Sequence, residues 1–278
     1  MLKFATYIIK VIISRNLIAV ISNRIRAQRG RRPRLLPHPM DPVKKGASIR
    51  RINRLFYELP FAINYLEIGL RRGETFQNVR FPVRIGVDPY PLFDLGKLPK
   101  NVSVFSLTSD EFFAESENLN FDFVYLDGLH TFEQSYRDLI HSLRLCPFGL
   151  ILVDDVVPSD KFSAMRDELE ANSARKKLGL RVSGWHGDVF KLILCLRDHH
   201  PQLSVRTIIG SGNPQALVWR NQPVKEVEAI GVVEMNKYSE IKFDDIFYDG
   251  IPNYFFPCSE EHAIRDAIEG IRNLAIIS

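Results

Sequence analysis

The sequence predicts an α/β protein built on a doubly wound, mostly parallel sheet of seven strands that ends in an antiparallel C-terminal hairpin. Three observations predict it. Short apolar runs recur at residues 65–68, 84–87, 102–107, 121–126 and 150–153, each followed by an acidic residue or a glycine turn. An amphipathic stretch at 131–145, with Tyr136, Leu139, Ile140 and Leu143 at helical spacing, lies between the last two. Strands that alternate with helices make a parallel sheet. Two late runs, 203–209 and 216–219, flank Gly210-Ser211-Gly212-Asn213-Pro214 as the arms of a hairpin do, and antiparallel strands often close a parallel sheet.

Composition narrows the class. The 278 residues are 45% hydrophobic, 25% charged and 11% aromatic, which excludes disordered, collagen-like and low-complexity chains. Cys146, Cys195 and Cys258 are odd in number and far apart, with no CxxC pair. A disulfide framework and a thiolate zinc site are therefore not expected, and a reducing, cytoplasmic setting is.

Charge is unevenly distributed. Of 37 Lys and Arg, nine fall within residues 1–40, which hold no acid; the rest of the chain carries 28 bases against 33 acids. Nucleic-acid enzymes spread basic charge over the working face, so no nucleic-acid partner is expected. Residues 1–22 are apolar, but Lys3, Lys10 and Arg15 interrupt them, leaving no transmembrane span. Six arginines follow from Arg24 to Arg34. An apolar helix with a basic cluster suits peripheral contact with an anionic membrane through residues 1–34. An oligomer contact and a targeting segment are the alternatives. The expected organisation is a helical extension over 1–46, a main domain over 47–220 and a C-terminal extension over 221–278.

The main domain opens with a helix at 48–59, with Ser48 as its N-cap and Ile49, Ile52, Leu55 and Phe56 on one side. Further helices are predicted over 161–177 and 259–274. Between them an apolar run at 189–196 follows the turn Trp185-His186-Gly187-Asp188, which is a second candidate patch for an acceptor pocket. The aromatic stretch 243–256 reads as a loop, serving as a lid or as packing for the C-terminal extension. His199-His200, before Pro201, reads as a solvated helix end.

In a parallel sheet, ligands bind outside the carboxyl ends of the strands. That edge collects Glu67, Asp88, Asp127, Asp154 and Asp155, with Asp110 just past another strand. Neighbouring strands lie ~4.8 Å apart, so these carboxylates raise one another's pKa unless a cation or ligand hydroxyls meet them. Glu67-Ile-Gly69-Leu-Arg-Arg-Gly73 is a strand end running into a glycine turn, and Asp88 ends the next strand 21 residues later. That spacing suits a carboxylate on ribose hydroxyls. The middle glycine of the dinucleotide fingerprint is missing, which favours a nucleoside without a pyrophosphate. Asp127-Gly-Leu-His130 ends another strand, and Asp154-Asp155 follow 27 and 28 residues on, one helix crossover away. Oxygen donors in such a group favour a hard cation such as Mg²⁺; the alternative makes Asp155 a turn residue and His130 a loop histidine.

These motifs, Tyr65-Leu-Glu-Ile-Gly69 with Gly73-Glu-Thr75, Gly86-Val-Asp-Pro89, Phe121–His130 and Gly149–Asp155, resemble the class I methyltransferases. Within that class they are most similar to the small-molecule, sugar and antibiotic O-methyltransferases related to the catechol type. The resemblance covers roughly residues 48–220. It implies S-adenosylmethionine over Glu67, Gly69 and Gly73, with Asp88 on its ribose and Ser109-Asp110 near its adenine. It also implies a divalent metal, Mg²⁺, at Asp127, Asp154 and Asp155. The second member of the acid pair is Asp where the relatives carry Asn, and His130 stands where they carry a lysine base. The expected activity is metal-assisted methylation of a hydroxyl on a small molecule or sugar, with His130 as base and Asp127 beside it. The rival readings are a nicotinamide-dependent oxidoreductase and a non-catalytic module bound to a membrane or partner.

Overall fold

The computed structural model describes residues 46–277 apart from 60–61, 182–183 and 225. The N-terminal segment expected to meet a membrane or a partner lies outside the described residues. The chain forms two compact units, divided between Val124 and Tyr125. Its sheet has eight strands in the order β3-β2-β1-β4-β5-β7-β6-β8, one more than expected.

In the first unit, α1 (Ala47–Glu58) buries Ile49, Ile52, Leu55 and Phe56, the stripe legible in the sequence. Gly46, rather than Ser48, occupies its N-cap. Strands β1 (Asn64–Ile68), β2 (Val83–Val87) and β3 (Val102–Phe105) pair in parallel. Between them run α2 (Glu74–Asn78) and, after β3, α3 (Ser109–Glu115). Asp122 ties the entry of β4 (Phe123–Leu126) to β1: its carboxylate accepts the backbone N–H groups of Ile63 and Asn64 at 2.7 and 2.8 Å. Phe81 and Phe123 pack on Tyr65, with ring centroids 5.1 and 6.0 Å away, and form the aromatic centre of this half.

The second unit continues from the end of β4 through α4 (Phe132–Leu145) to β5 (Leu150–Val153). Then come α5 (Glu168–Lys177), α6 (Lys191–His199), β6 (Leu203–Ile208) and β7 (Gln215–Arg220). The hairpin closes as predicted, with β7 antiparallel to both β6 and β5 and Val153 opposite Ala216. The buried Arg220 donates to the carbonyls of Leu143, Cys146 and Pro147, satisfying groups that the end of α4 leaves open. The chain ends in α7 (Val232–Ser239), α8 (Phe243–Phe247), the short β8 (Pro257–Cys258) beside β6, and α9 (Glu260–Ile277).

Three expectations need correction. The helix predicted over 161–177 begins only at Glu168, because Asp160 winds the preceding residues into a turn: its carboxylate accepts the N–H groups of Phe162 and Ser163. The stretch 243–256 is not a plain loop but holds α8 and a 3₁₀ turn at Asn253–Phe255, and its Phe247 and Phe255 are buried, with Phe247 against Phe190. Those two rings are packing and not a lid. His200 is not solvated either. It is 2% exposed, its Nε2 lies 2.9 Å from the Tyr136 hydroxyl, and burial lowers its pKa to about 4. Among the described residues no helix is long and apolar enough to cross a membrane.

Candidate active site

The first unit carries the glycine turn after β1. Asp88, at the end of β2, organises it: one carboxylate oxygen accepts the N–H groups of Leu70 and Arg71 at 2.8 and 2.7 Å, the other that of Tyr90 at 2.7 Å. A carboxylate offers about four acceptor positions, so one remains for a ligand hydroxyl. Gly73 has φ 68, and a Cβ there would press within 2.7–2.8 Å of the Phe93 ring and the Gln77 amide, so a side chain is excluded. Ser109 and Asp110 form the first turn of α3, behind a capping box made by Thr108 and Glu111. These residues fit a nucleoside in donor chemistry, with an acid and a side-chain-free turn on one strand edge. Removing the Asp88 carboxylate frees three backbone donors, of which only the part-buried Leu70 N–H is shielded from water, at a cost of roughly 1 kcal/mol or more. Asp88→Ala is therefore expected to lower the unfolding midpoint as well as nucleoside affinity, which thermal unfolding with and without ligand separates.

Glu67 is buried in the same unit, with the Tyr65 hydroxyl donating to it at 2.6 Å. Burial pushes its pKa up to about 8, against the opposing pull of Tyr65 and Arg84. The folded chain thus keeps a proton here that the unfolded chain releases near pH 4.5. Glu67's contribution to stability is full below that value and is lost as pH rises through about 8, with a slope of up to about 1.4 kcal/mol per pH unit between. Urea unfolding of Glu67→Gln at several pH values should lack that slope.

The second unit brings the other acids together. Asp127 and His130 leave β4, and Asp154 and Asp155 leave β5. His130 Nδ1 lies 2.7 Å from Asp155 Oδ2, and its Nε2 is 3.9 Å from Asp127 Oδ1. Burial favours the neutral ring, but the hydrogen bond and charge of Asp155, helped by Asp154 and Glu168, outweigh it and raise the His130 pKa. The two adjacent aspartates divide their roles. Asp154 is deeply buried and accepts from the Tyr125 hydroxyl, from Asn213 and from the N–H of Asp155. Burial and the charge of Asp155 raise its pKa. In Asp155 burial acts the same way, yet His130, His186 and Asn213 hold the carboxyl below its ordinary value. Asp155 has a left-handed backbone conformation with φ 59.

The turn at 185–188 closes over this group, so the second candidate patch belongs to it. The Trp185 ring lies 5.0 Å from the His130 ring, and its indole N–H donates to the Met165 carbonyl at 2.6 Å. His186 Nε2 is 3.4 Å from Asp155 Oδ1. Gly187 has φ 61 and passes so close to His130 that a Cβ would overlap its carbonyl oxygen. Asp188 accepts the Phe132 N–H at 2.8 Å and ion-pairs with Arg166 and Lys191 at 3.0 and 3.1 Å. It thereby caps α4, whose Thr131 makes no side-chain cap.

Asp127, His130 and Asp155 each offer one ligand atom, all within 4.8 Å of one another, and an ion held at about 2.0–2.3 Å would need its ligand atoms drawn to within about 4.6 Å. Asp154 is not in that group; its carboxylate accepts from Tyr125, Asn213 and the Asp155 N–H. In the sequence Asn213 reads only as a turn residue. Its place beside the acids follows from the pairing of β7 with β5, which sequence alone does not show.

No protein-family model and no curated protein matches the chain. Similar solved structures include an O-methyltransferase from Bacillus cereus in complex with SAH, at 17% identity, covering 78% of this chain and 96% of that one, with a TM-score of 0.41. Another is the cofactor-bound Rv0187 from MTB, at 17% identity, covering 76% and 90%, TM-score 0.42. A third is the O-methyltransferase TomG from Streptomyces achromogenes, involved in tomaymycin synthesis, in complex with SAM, at 12% identity, covering 65% and 92%, TM-score 0.37. Likeness at this level assigns no chemistry to this chain.

Proposed function

We propose that this chain is an S-adenosylmethionine-dependent O-methyltransferase acting on a hydroxyl of a small molecule or sugar. The observation that carries the reading is the His130–Asp155 pair at the strand ends, in which Nδ1 lies 2.7 Å from the Asp155 carboxylate and Nε2 lies 3.9 Å from that of Asp127. An alcohol attacking a methyl group must lose its proton, and an imidazole held in one tautomer accepts it. The nucleoside is assigned to the first unit, with Asp88 on ribose hydroxyls, Glu67, Gly69 and Gly73 around the turn, and Ser109-Asp110 toward the base. S-adenosylmethionine supplies an electrophilic methyl group when bound. Trp185 forms an apolar wall beside His130 that limits water at the base. A divalent cation, Mg²⁺ by the chemistry of the acids, is assigned to the carboxylates of Asp127 and Asp155, where it would supply Lewis acidity to the acceptor oxygen, while His130 stays the base and not a ligand.

Thermal unfolding of the full chain with S-adenosylmethionine or NAD tests the reading. A ligand at 100 times its dissociation constant adds ~2.7 kcal/mol, which at this size is a rise of roughly 5–10 °C. A rise with S-adenosylmethionine is the expected result; a rise with NAD alone overturns it. The cation assignment has its own readout in the electron paramagnetic resonance of added Mn²⁺. Asp127→Ala should weaken Mn²⁺ binding tenfold or more, whereas Asp154→Asn should leave it within about threefold. The reverse order would return Asp154 to the ligand set.

A further inference from the structure

We propose that Asn213, on the β6–β7 hairpin, is a positioning residue that holds Asp155 in register with His130, and that His186 fixes the orientation of the Asn213 amide. The catalytic consequence rests on the methyl-transfer reading; the geometry does not.

Asp155 is gripped at both oxygens. Oδ2 accepts from His130 Nδ1 at 2.7 Å, and Oδ1 accepts from Asn213 Nδ2 at 2.7 Å. Two donors on opposite oxygens fix the plane of a carboxylate, and a single donor leaves it free to swing. The grip is needed because Asp155 has a backbone conformation that L-residues avoid and stands next to a second buried acid. The same Asn213 amide nitrogen donates to Asp154 Oδ1 at 2.5 Å, so its two hydrogens bridge the acid pair.

That bridge works with one orientation of the amide. Turned over, Asn213 would present its oxygen to two carboxyl groups and lose both bonds. His186 prevents this: its Nε2 lies 3.2 Å from Asn213 Oδ1 and faces Asp155 Oδ1 as well. The ring proton belongs on Nε2, which has two acceptors before it, while the buried Nδ1 has no hydrogen-bond partner among the described residues. The ring is itself placed by its backbone, since His186 N–H donates to the Ser163 carbonyl at 2.9 Å. The order of support runs from His186 to Asn213 to Asp155 to His130. A hairpin turn and a loop after α5 therefore act on the imidazole through Asp155.

The test uses the full chain labelled with ¹⁵N-histidine. The Nδ1 proton of His130, assigned by its absence in His130→Gln, should appear as a downfield resonance protected from water. Asn213→Ala should abolish it. Asn213→Asp, which keeps the side-chain shape but not the two N–H donors, should do the same and carries the test if the alanine variant does not fold. A resonance that persists in the folded variant overturns the proposal. Turnover provides a second arm. Asn213→Ala should lower kcat by 10- to 100-fold with S-adenosylmethionine affinity unchanged, and should have no further effect in an Asp155→Ala background. Additive losses would overturn a role through Asp155. If the resonance behaves as expected but the wild-type chain transfers no methyl group, the methyl-transfer reading fails and the positioning role stands.

Discussion

Replacing His130 with glutamine is expected to lower methyl transfer by about 10²- to 10⁴-fold, the usual worth of a positioned general base, while S-adenosylmethionine affinity stays within about twofold. The reason is local. His130 is the group whose one nitrogen is tied to Asp155 and whose other nitrogen is turned toward Asp127, whereas the residues assigned to the nucleoside belong to the first unit. Glutamine keeps polarity and similar bulk but cannot accept and return a proton. Single-turnover rates measured beside calorimetric cofactor binding separate the two effects. A glutamine variant that turns over at the wild-type rate would remove His130 from the chemistry and leave it as a structural loop residue.

The second large effect is expected at Gly187, which touches no ligand in the proposed reaction. Alanine there adds a Cβ where the His130 carbonyl already lies, in a backbone conformation with φ 61. The conformational cost alone is about 1–2 kcal/mol, and relieving the overlap must separate two segments joined by the Asp188 N–H bond to the His130 carbonyl at 3.3 Å. A total loss of about 3 kcal/mol or more is expected, roughly 6–12 °C in unfolding midpoint at this chain length. Turnover should fall with it, because the same displacement moves the imidazole away from Asp155. Differential scanning calorimetry and a rate measurement well below the lowered midpoint check both parts. An alanine variant with wild-type midpoint and rate would show that the turn at 185–188 does not hold His130.

The acids and the imidazole were legible in the sequence because strand ends are legible. An apolar run that stops at an aspartate marks both the strand and the edge it feeds, and the interval from Asp127 to Asp155 is that of one helix crossover. The division of labour between Asp154 and Asp155 was not legible. It depends on the Tyr125 hydroxyl reaching Asp154 from the neighbouring strand and on Asn213 arriving from the hairpin. The same limit explains His200. Its neighbours His199 and Pro201 read as a helix end in water, yet Tyr136, far away in sequence on α4, supplies a hydroxyl partner and shields it. The glycine of the 185–188 turn was visible, but nothing in the chain announced that the backbone it must clear belongs to residue 130.

The position of β7 gives the molecule a history as well as a shape. This strand is among the later ones made, yet it is inserted in the interior of the sheet, between β5 and β6. While the ribosome has yet to deliver residues 215–220, a matter of seconds at ordinary translation speeds, β5 has an open edge and β6 lacks its antiparallel neighbour. Open strand edges recruit other chains. The nascent protein therefore carries His130 and both aspartates for a time on an incomplete sheet, and the arrival of β7 closes that edge and brings the adjoining Asn213 to the acids in one step. Completion of the sheet and readiness of the site coincide, so a product clipped before the hairpin would be a client for chaperones rather than a slow enzyme.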